Sequence, residues 1–296
     1  MRQFLSGWQP SRPDHRDRKF NAPLLTALPP KVDLRLTAKP FEPNWDQGNL
    51  GSCGPHSACL NLVYNMLSTG TPVVMPSRLF AYYTTRQVMG TTGYDSGVDN
   101  RSMFKALAKY GWCDESLCPY QIGFFTVKPL AVCYLQASER KITEYLSVPQ
   151  SLTQMKACLA GDGTNPGRPF VFGFTVYDSF FSNATEQTGV VSMPSGGVAG
   201  GHDILFVGYD DDKQMFIFKN SWGEWGDSGD GYFPYSYATS PNLAGDFWTA
   251  RGSGISPPAP IPPVPPTPPV PGPGKTYAIK GGTINTETGT LVATFE

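Results

Sequence analysis

The sequence has little charge and few histidines. Charged residues make up 16% of the 296 residues, and 23 basic side chains nearly balance 24 acidic ones, for a formal net charge of -1. Without a basic excess the chain lacks the attraction that general nucleic-acid and membrane-surface binders use, so we expect neither partner. Only His15, His56 and His202 carry an imidazole, so few side chains are candidates for a base that titrates near neutral pH.

Long apolar runs are also missing. No stretch reaches the ~18 apolar residues of a membrane-spanning helix, so we expect no membrane span. Near the N-terminus only Phe4 and Leu5 form an apolar run, which is much shorter than the apolar centre of a signal peptide. A reducing compartment is the default expectation, with export by another route left open, so localisation stays undetermined.

The even number of cysteines permits disulfides without requiring them. Apart from Cys53, which is considered below, we favour thiols over one or two disulfides for Cys59, Cys113, Cys118, Cys133 and Cys158.

Proline is abundant and mostly local. Eleven of the seventeen residues 257–273 are proline, which predicts a linker over 256–274 that would span about 50 Å at ~3.1 Å per residue. In the tail, 275–296, residues 276–279 and 290–295 are expected to pair as one hairpin. Two strands are too few to be stable alone. The tail is therefore expected to dock, to bind a partner, to oligomerise or to remain disordered.

The first 27 residues are basic and rich in turn-forming residues, with Trp8 and Phe20 as large apolar side chains. Two interpretations stay open. The segment is either a solvated tail or a pro-segment, an arm that lies across the following domain and inhibits it.

Residues 28–255 read as one domain in which helices come first and strands second, which is typical of an α+β fold with two lobes. Apolar periodicity and capping residues predict helices over 53–67, 78–88 and 102–110, the last capped by Asn100 or Ser102, and a short helix after a capping box at Ser151. Strands are predicted over 170–176, 204–209 and 215–219, with a turn at 210–213.

A glycine-rich turn places Cys53 at the start of the first of these helices. The N–H groups and dipole of a helix N-terminus favour a thiolate, so the pattern predicts a nucleophile with a lowered pKa. Gln47 precedes it on the same turn. Its side-chain amide and the Cys53 N–H are candidates for the two donors of an oxyanion hole.

His202 is the candidate base, since it opens a strand behind Gly201 and would face a cleft. Asn220 follows the next strand, where its amide oxygen could accept the ring N–H and fix the tautomer. Trp222 would shield that hydrogen bond from water. His56, one turn after Cys53, is the rival base.

Several separate motifs of this sequence resemble those of the papain-like cysteine peptidases. They are Gln47-Gly48 followed after three residues by Ser52-Cys53, then Gly201-His202, Asn220-Ser221-Trp222-Gly223, Val32-Asp33-Leu34-Arg35, Gly208-Tyr209 and Trp225-Gly226. The resemblance covers roughly residues 28–245 and is strongest to the prokaryotic-type branch with a short N-terminal segment.

The resemblance implies a helical lobe and a β-barrel-like lobe with the cleft between them. It implies hydrolysis of a peptide or protein substrate through a thioester, with Cys53 as nucleophile, His202 as base and then acid, Asn220 as orienting residue and Gln47 as oxyanion donor. No metal or organic cofactor is implied. Candidate substrate-binding residues are Ser96, Gly97 and Val98, whose loop is otherwise a plain connection, together with Gly201 and Trp222.

The chain departs from the family pattern at four places. Gly54 follows the nucleophile in place of an aromatic residue, Leu50 replaces a cysteine that often forms a disulfide, Asp203 replaces a small residue after the histidine, and the loop before Trp225 is one residue shorter. None of these removes a catalytic group. An acyl transferase or ligase on the same scaffold and an inactive homologue that acts as a binding protein remain the alternatives.

Overall fold

Helices dominate the first half of the chain and strands the second, as predicted. The structure is a computed structural model that describes residues 7–22, 27–37 and 44–254, and beyond them three short strands. The chain divides into two units, Met1–Pro257 and Pro258–Glu296. The predicted linker over 256–274 lies outside the described residues, and the predicted domain boundaries stay predictions.

The helices of the described residues are α1 (Leu34–Thr37), α2 (Cys53–Ser68), α3 (Arg78–Met89), α4 (Asn100–Lys109), α5 (Ala131–Ser138), α6 (Leu152–Ala160), α7 (Asn183–Thr188), α8 (Trp225–Ser228) and α9 (Tyr235–Ala238). The strands are β1 (Lys31–Asp33), β2 (Glu144–Ser147), β3 (Phe170–Tyr177), β4 (Val198–Asp210), β5 (Met215–Lys219), β6 (Asp230–Pro234), β7 (Ala244–Arg251), β8 (Tyr277–Ile279), β9 (Gly282–Asn285) and β10 (Thr290–Val292).

The helix ends follow their capping chemistry, with two differences from the prediction. The N-cap of α4 is Asp99, whose carboxylate accepts from Ser102 N at 2.8 Å, rather than Asn100 or Ser102. The capping box predicted at Ser151 is wrong, because the Ser151 side chain makes no cap hydrogen bond at the start of α6. The helix forms there all the same, since its apolar face packs on the core.

The strands β1 to β7 of the first unit form one antiparallel sheet. Its order is β2-β7-β3-β4-β5-β6, with β1 paired to β4. In the described residues the sheet is open rather than closed into a barrel. Pairing of Leu205 with Lys219 sets the register of β4 and β5. Because these strands are antiparallel, the residues before Leu205 lie beside those after Lys219, which brings His202 close to Asn220 and Trp222.

Stacked phenylalanines form the core of the sheet. The ring of Phe172 on β3 lies 4.1 Å from Phe206 and 5.3 Å from Phe247, measured between centroids. The long helix α2 packs against β3, β4 and β7, and almost every one of its residues is buried. The helix that begins at Cys53 is therefore held in place by the sheet that carries His202.

The second unit contains a three-stranded antiparallel sheet in the order β10-β9-β8. The single hairpin predicted between 276–279 and 290–295 is wrong, because β8 and β10 each pair with the intervening strand β9. The strand β9 is only four residues long, which is too short for apolar alternation to identify it. Among the described residues no helix combines the length and apolar character needed to cross a bilayer.

We expect Phe172→Ala to lower the free energy of unfolding by about 3 to 5 kcal/mol, because the cavity left between Phe206 and Phe247 cannot close fully. Denaturant unfolding measures the change. Phe124→Ala is the matched control, since Phe124 is 54% exposed and its truncation should cost less than about 1 kcal/mol. Equal losses in the two variants would contradict the stacked core.

Candidate active site

The turn before α2 is fixed to the loop after β5 by its backbone. Gln47 N donates to Ser221 O at 2.9 Å, and Asp46 forms a β-bridge with Trp222. The carboxylate of Asp95 accepts from Gly51 N at 3.1 Å. These bonds hold the turn at both of its ends, so Cys53 begins α2 beside the segment that carries Asn220.

His202 and Asn220 form the hydrogen bond expected from the sequence. His202 Nε2 lies 2.9 Å from Asn220 Oδ1, and the same oxygen accepts from Ser221 N at 2.8 Å. Because an amide oxygen only accepts, the Nε2 atom carries the proton in this pair. The other ring nitrogen, Nδ1, is then the one that a neutral imidazole has available as a base.

Aromatic rings cover this pair. Trp222 stacks on the His202 ring with centroids 4.7 Å apart and planes inclined by 30°. Phe180 packs edge-on against Trp222, and Phe181 stacks on it. Both His202 and Asn220 are at most 2% exposed. Excluding water strengthens the hydrogen bond between them, because competition from solvent is removed.

The side-chain amide of Gln47 is oriented by two contacts. Its Oε1 accepts from Ser221 Oγ at 2.6 Å, and its Nε2 donates to Leu50 O at 2.9 Å. An amide nitrogen has two N–H groups. The second is the one that would serve an oxyanion hole together with Cys53 N–H.

The prediction of a lowered pKa at Cys53 is wrong for this state of the protein. Burial raises the pKa of the Cys53 thiol well above its ordinary value, and the Asp203 carboxyl acts in the same direction. Backbone N–H groups of Asp203, Gly54 and Cys53 itself act in the opposite direction, as expected at a helix start, but more weakly. Burial also raises the pKa of Asp203, and desolvation is the largest cause of the raised pKa of Cys53.

His56 lies in a separate environment from His202. Its Nδ1 is 2.8 Å from Ser52 O, and its Nε2 is 3.4 Å from Arg78 Nη1. Burial and the neighbouring Arg78 charge lower the pKa of His56 well below its ordinary value. Both ring nitrogens are therefore engaged by other groups, and the imidazole stays neutral at pH 7.

Gly7 lies directly over Cys53, and residues 7–9 bond to backbone groups beside it. Val98 N donates to Gly7 O at 2.8 Å, Gln9 N donates to Val98 O at 2.9 Å, and Gly7 N donates to Gly201 O at 3.1 Å. A Cβ atom on Gly7 would lie only 2.5 Å from Cys53 Sγ, so glycine is required here. The N-terminal segment thus bonds to Val98 and Gly201, two of the residues predicted to bind substrate.

The other predicted substrate residues lie nearby. Ser96 O accepts from Gln9 Nε2 at 2.5 Å. Gly97 adopts a left-handed φ of +66°, and its N–H donates to Tyr82 Oη at 3.2 Å. A Cβ atom on Gly97 would overlap the Gly7 carbonyl. The loop is therefore shaped to let another backbone approach closely.

Trp8 packs on the sheet over Gly173, a contact that the sequence did not predict. Its indole covers Gly173 so closely that a Cβ atom on Gly173 would overlap the ring. The indole Nε1 donates to Asp246 Oδ2 at 3.4 Å, and Ser11 N donates to the same oxygen at 3.2 Å. The sequence did carry a signal at Gly173, because a glycine inside a buried strand often marks the close approach of another group.

The remaining arm residues are held by charge and backbone pairing. Arg101 forms a salt bridge with Asp17, and Ser11 Oγ donates to Asp99 Oδ1 at 3.1 Å. Further along, Phe20 N donates to Ser147 O at 2.8 Å. Residues 7–20 therefore lie along the domain surface, and a freely solvated tail does not describe them.

All six cysteines are free thiols. Cys53, Cys59, Cys113, Cys133 and Cys158 are buried, and Cys118 is partly buried. The preference for thiols over disulfides agrees with this structure.

Helices packed against one open antiparallel sheet, with a thiol where the two meet, define the class of papain-like cysteine peptidases. The sequence matches the model of the papain family of cysteine proteases over residues 28–245. The chain therefore belongs to the papain family.

Two similar proteins agree with this assignment. Xylellain, a cysteine protease from Xylella fastidiosa, is 36% identical and superposes with a TM-score of 0.77 over 85% of this chain and 98% of that chain. An uncharacterised peptidase C1-like protein of Acanthamoeba polyphaga mimivirus is 34% identical over 82% of this chain and 85% of its own.

More distant relatives cover less of the chain or share only the fold. A cathepsin B-like protein of Giardia intestinalis is 28% identical over 64% of this chain and 62% of its own. A digestive procathepsin L of Tenebrio molitor has a TM-score of 0.63 at 20% identity. The predicted papain-like α+β fold is confirmed, and the protein is a cysteine peptidase. The roles of the individual residues stay predictions.

The buried Asp203 carboxyl predicts a specific pH dependence of stability. Its pKa is raised above the ordinary value of 3.8, so the folded state keeps a proton that the unfolded state loses. The stability contribution is complete below the unfolded pKa and is lost as the pH rises towards the folded pKa, by up to ~1.4 kcal/mol per pH unit.

We expect the free energy of unfolding of Asp203→Asn, relative to the parent protein, to increase as the pH is raised from about 4 to about 7. The asparagine does not titrate and can still accept from Asn100 Nδ2, which donates to Asp203 Oδ1 at 2.8 Å. Asp99 and Asp246 are present in both proteins, so their titrations cancel in the difference to first order. A pH-independent difference between the two would contradict the raised pKa.

Proposed function

We propose that the protein hydrolyses internal peptide bonds with Cys53 as nucleophile, His202 as base and then acid, and Asn220 as orienting residue. The observation that carries the proposal is the 2.9 Å contact between His202 Nε2 and Asn220 Oδ1. On α2, Ser57 Oγ donates at 3.4 Å to the carbonyl of Asp203, the next residue on the same strand. The imidazole and the thiol thus belong to one rigid junction between β4 and α2.

In this mechanism His202 Nδ1 takes the thiol proton, and Cys53 Sγ attacks the carbonyl carbon of the substrate. The oxygen becomes an oxyanion that accepts hydrogen bonds from Gln47 Nε2 and Cys53 N. His202 then returns the proton to the leaving amine, and a thioester remains on Cys53. Water, deprotonated by His202, hydrolyses the thioester and regenerates the thiol. Asn220 holds the ring throughout, since its oxygen only accepts.

Cleavage of internal bonds is supported by the position of the arm. Gly7, which has six residues before it in the sequence, lies over Cys53 Sγ. The space above the thiol therefore accepts a residue from within a chain. A peptide blocked at both ends is the appropriate substrate, and release of single terminal residues only would contradict the endopeptidase assignment.

The backbone contacts of the arm also support the predicted substrate-binding residues. The N–H and C=O of Val98 and the C=O of Gly201 each bond to residues 7–9. An extended substrate would use the same groups, since they read backbone and not side chains. Trp222 would form the wall beside His202, and Ser96 and Gly97 would shape the loop.

The catalytic assignment predicts that Cys53→Ala and His202→Ala each lower kcat/KM on a blocked peptide by at least ~10³-fold. His56→Ala should retain far more activity, because His56 contacts Ser52 and Arg78. Circular dichroism confirms that each variant is folded. Loss of activity in His56→Ala together with an active His202→Ala would reverse the assignment.

The same assay separates the alternatives. An acyl transferase would give an amide product when an amine nucleophile is added, and its hydrolysis product would be minor. An inactive homologue would show no turnover, and Cys53 would resist alkylation by a thiol trap such as a vinyl sulfone.

We also propose that the N-terminal arm inhibits the peptidase, so that the protein is a zymogen. The support is steric, because Gly7 covers the thiol and the Trp8 indole packs over Gly173. It is also electronic, because burial raises the pKa of the Cys53 thiol and a thiol is a much weaker nucleophile than a thiolate. Removal of the arm would expose the thiol and restore the effect of the helix N-terminus.

We expect Trp8→Ala in the full chain to raise kcat/KM on a blocked peptide by at least about tenfold, because the indole no longer anchors residues 7–9. The loss of roughly 1.4 kcal/mol of arm binding corresponds to a tenfold population shift. Arg16→Ala is the control, since Arg16 forms its salt bridge with Asp14 inside the arm. Equal activity of the two variants would refute inhibition by the arm and leave the catalytic assignment intact.

A further inference from the structure

Tyr120 links the two ends of the turn that leads to Cys53. Its hydroxyl lies 2.9 Å from Gln47 O and 2.6 Å from Ser52 Oγ. Tyr120 itself belongs to the loop after α4, far away in sequence from the turn. One oxygen atom therefore joins the residue that offers the oxyanion amide to the residue that precedes the nucleophile.

One set of donor and acceptor roles fits the hydrogen bonds around Tyr120, Ser52 and His56. A carbonyl oxygen only accepts, so Tyr120 donates its proton to Gln47 O, and Ser52 Oγ must donate to Tyr120 Oη. His56 Nδ1 donates to Ser52 O for the same reason, which leaves His56 Nε2 to accept from Arg78 Nη1. Burial raises the pKa of the Tyr120 hydroxyl, so it keeps its proton throughout the working pH range.

The ring of Tyr120 is held as firmly as its hydroxyl. The His56 ring meets it edge-on with centroids 4.8 Å apart, and the Arg78 guanidinium lies 4.5 Å from its centroid. Glu115 fixes both the Arg78 guanidinium and the Tyr120 backbone, because it forms a salt bridge with Arg78 and accepts from Tyr120 N at 3.2 Å. The hydroxyl is therefore presented to the turn from a rigid support.

The turn has no covalent constraint of its own. Leu50 stands where related proteins often carry a disulfide cysteine, and it packs instead in a small apolar cluster with Leu79, Tyr82 and Val98. Apolar packing restrains a side chain but does not fix the separation of two backbone groups. The hydrogen bonds of Tyr120 tie the Gln47 carbonyl to the Ser52 hydroxyl, and they are directional and short.

We propose that Tyr120 is a positioning residue of the oxyanion hole, which holds the Gln47 amide at its working distance from Cys53 N. This rests on the proposed function of Gln47. A purely structural role, in which the hydroxyl only satisfies a partly buried carbonyl, would change stability but would not act on the oxyanion step.

The test compares Tyr120→Phe with the parent chain, both full length and both carrying Trp8→Ala so that the cleft is open. Phenylalanine keeps the ring contacts with His56 and Arg78 and removes the hydroxyl alone. We expect kcat on a blocked peptide to fall by about tenfold with KM nearly unchanged, a part of the roughly 10²- to 10³-fold lost when an oxyanion donor is removed outright.

Two reagents distinguish an effect of the substitution on the oxyanion hole from an effect on the nucleophile. A peptide aldehyde adds to Cys53, where the S–C bond forms, the carbonyl π bond breaks and the thiol proton passes to the new oxygen, which lies in the hole. Iodoacetamide alkylates the same sulfur and releases iodide without forming an oxyanion. Tyr120→Phe should weaken aldehyde inhibition by about tenfold and leave the alkylation rate within about twofold, following the tenfold estimate for kcat.

Ser52→Ala removes the other hydroxyl that contacts Tyr120, and it should likewise lower kcat and weaken aldehyde inhibition. Tyr209→Phe is the matched control, because that buried hydroxyl donates to Pro29 O at 2.7 Å away from the turn, and it should change neither. Unchanged aldehyde affinity in Tyr120→Phe, or a parallel fall in alkylation, overturns the positioning role. Absence of turnover and of Cys53 alkylation in the parent chain overturns the proposed function as well.

Discussion

The packing of the start of α2 against β4 is the constraint on which the rest of the site depends. Ser57 on α2 donates its hydroxyl to Asp203 O on β4 at 3.4 Å, and a Cβ atom on Gly54 would lie 3.0 Å from Asp203 Oδ2. The pairing of β4 with β5 then fixes Asn220 beside His202. Neither lobe holds a complete site, because the thiol comes from the helices and the imidazole from the sheet. A chain that could not bury α2 on this sheet would lose the site together with the fold.

Residues 7–9 of the arm occupy the groups that a substrate is proposed to use. Each feature that would serve a substrate, namely the backbone of Val98, the carbonyl of Gly201 and the space over Cys53, is engaged by residues 7–9. In the same structure burial raises the pKa of the Cys53 thiol, while the N–H groups at the start of α2 act more weakly in the opposite direction. Release of residues 7–9 is the change that the proposed inhibition requires.

Local chemistry explains what the sequence predicted well. Gln47 and Cys53 lie at the turn that begins α2, and Asn220 follows β5, so local signatures identify them. His202 lies inside β4, which begins at Val198 and not at His202 as expected. The contacts that escaped prediction join distant parts of the chain. Asp246 meets Trp8, and Tyr120 meets Gln47, through tertiary packing that leaves no periodic trace. The predicted lowering of the Cys53 pKa is wrong because burial outweighs the local helix effect.

The free state of all six cysteines has a consequence for the redox chemistry of this peptidase. A reductant strong enough to keep a thiol nucleophile reduced also reduces any neighbouring disulfide of higher potential, so an enzyme that depends on such a disulfide has two opposing redox requirements. With Leu50 in place of a cysteine and hydrogen bonds of Tyr120 across the turn, this chain is free of that conflict. Strongly reducing surroundings protect its nucleophile and leave the architecture around it unchanged.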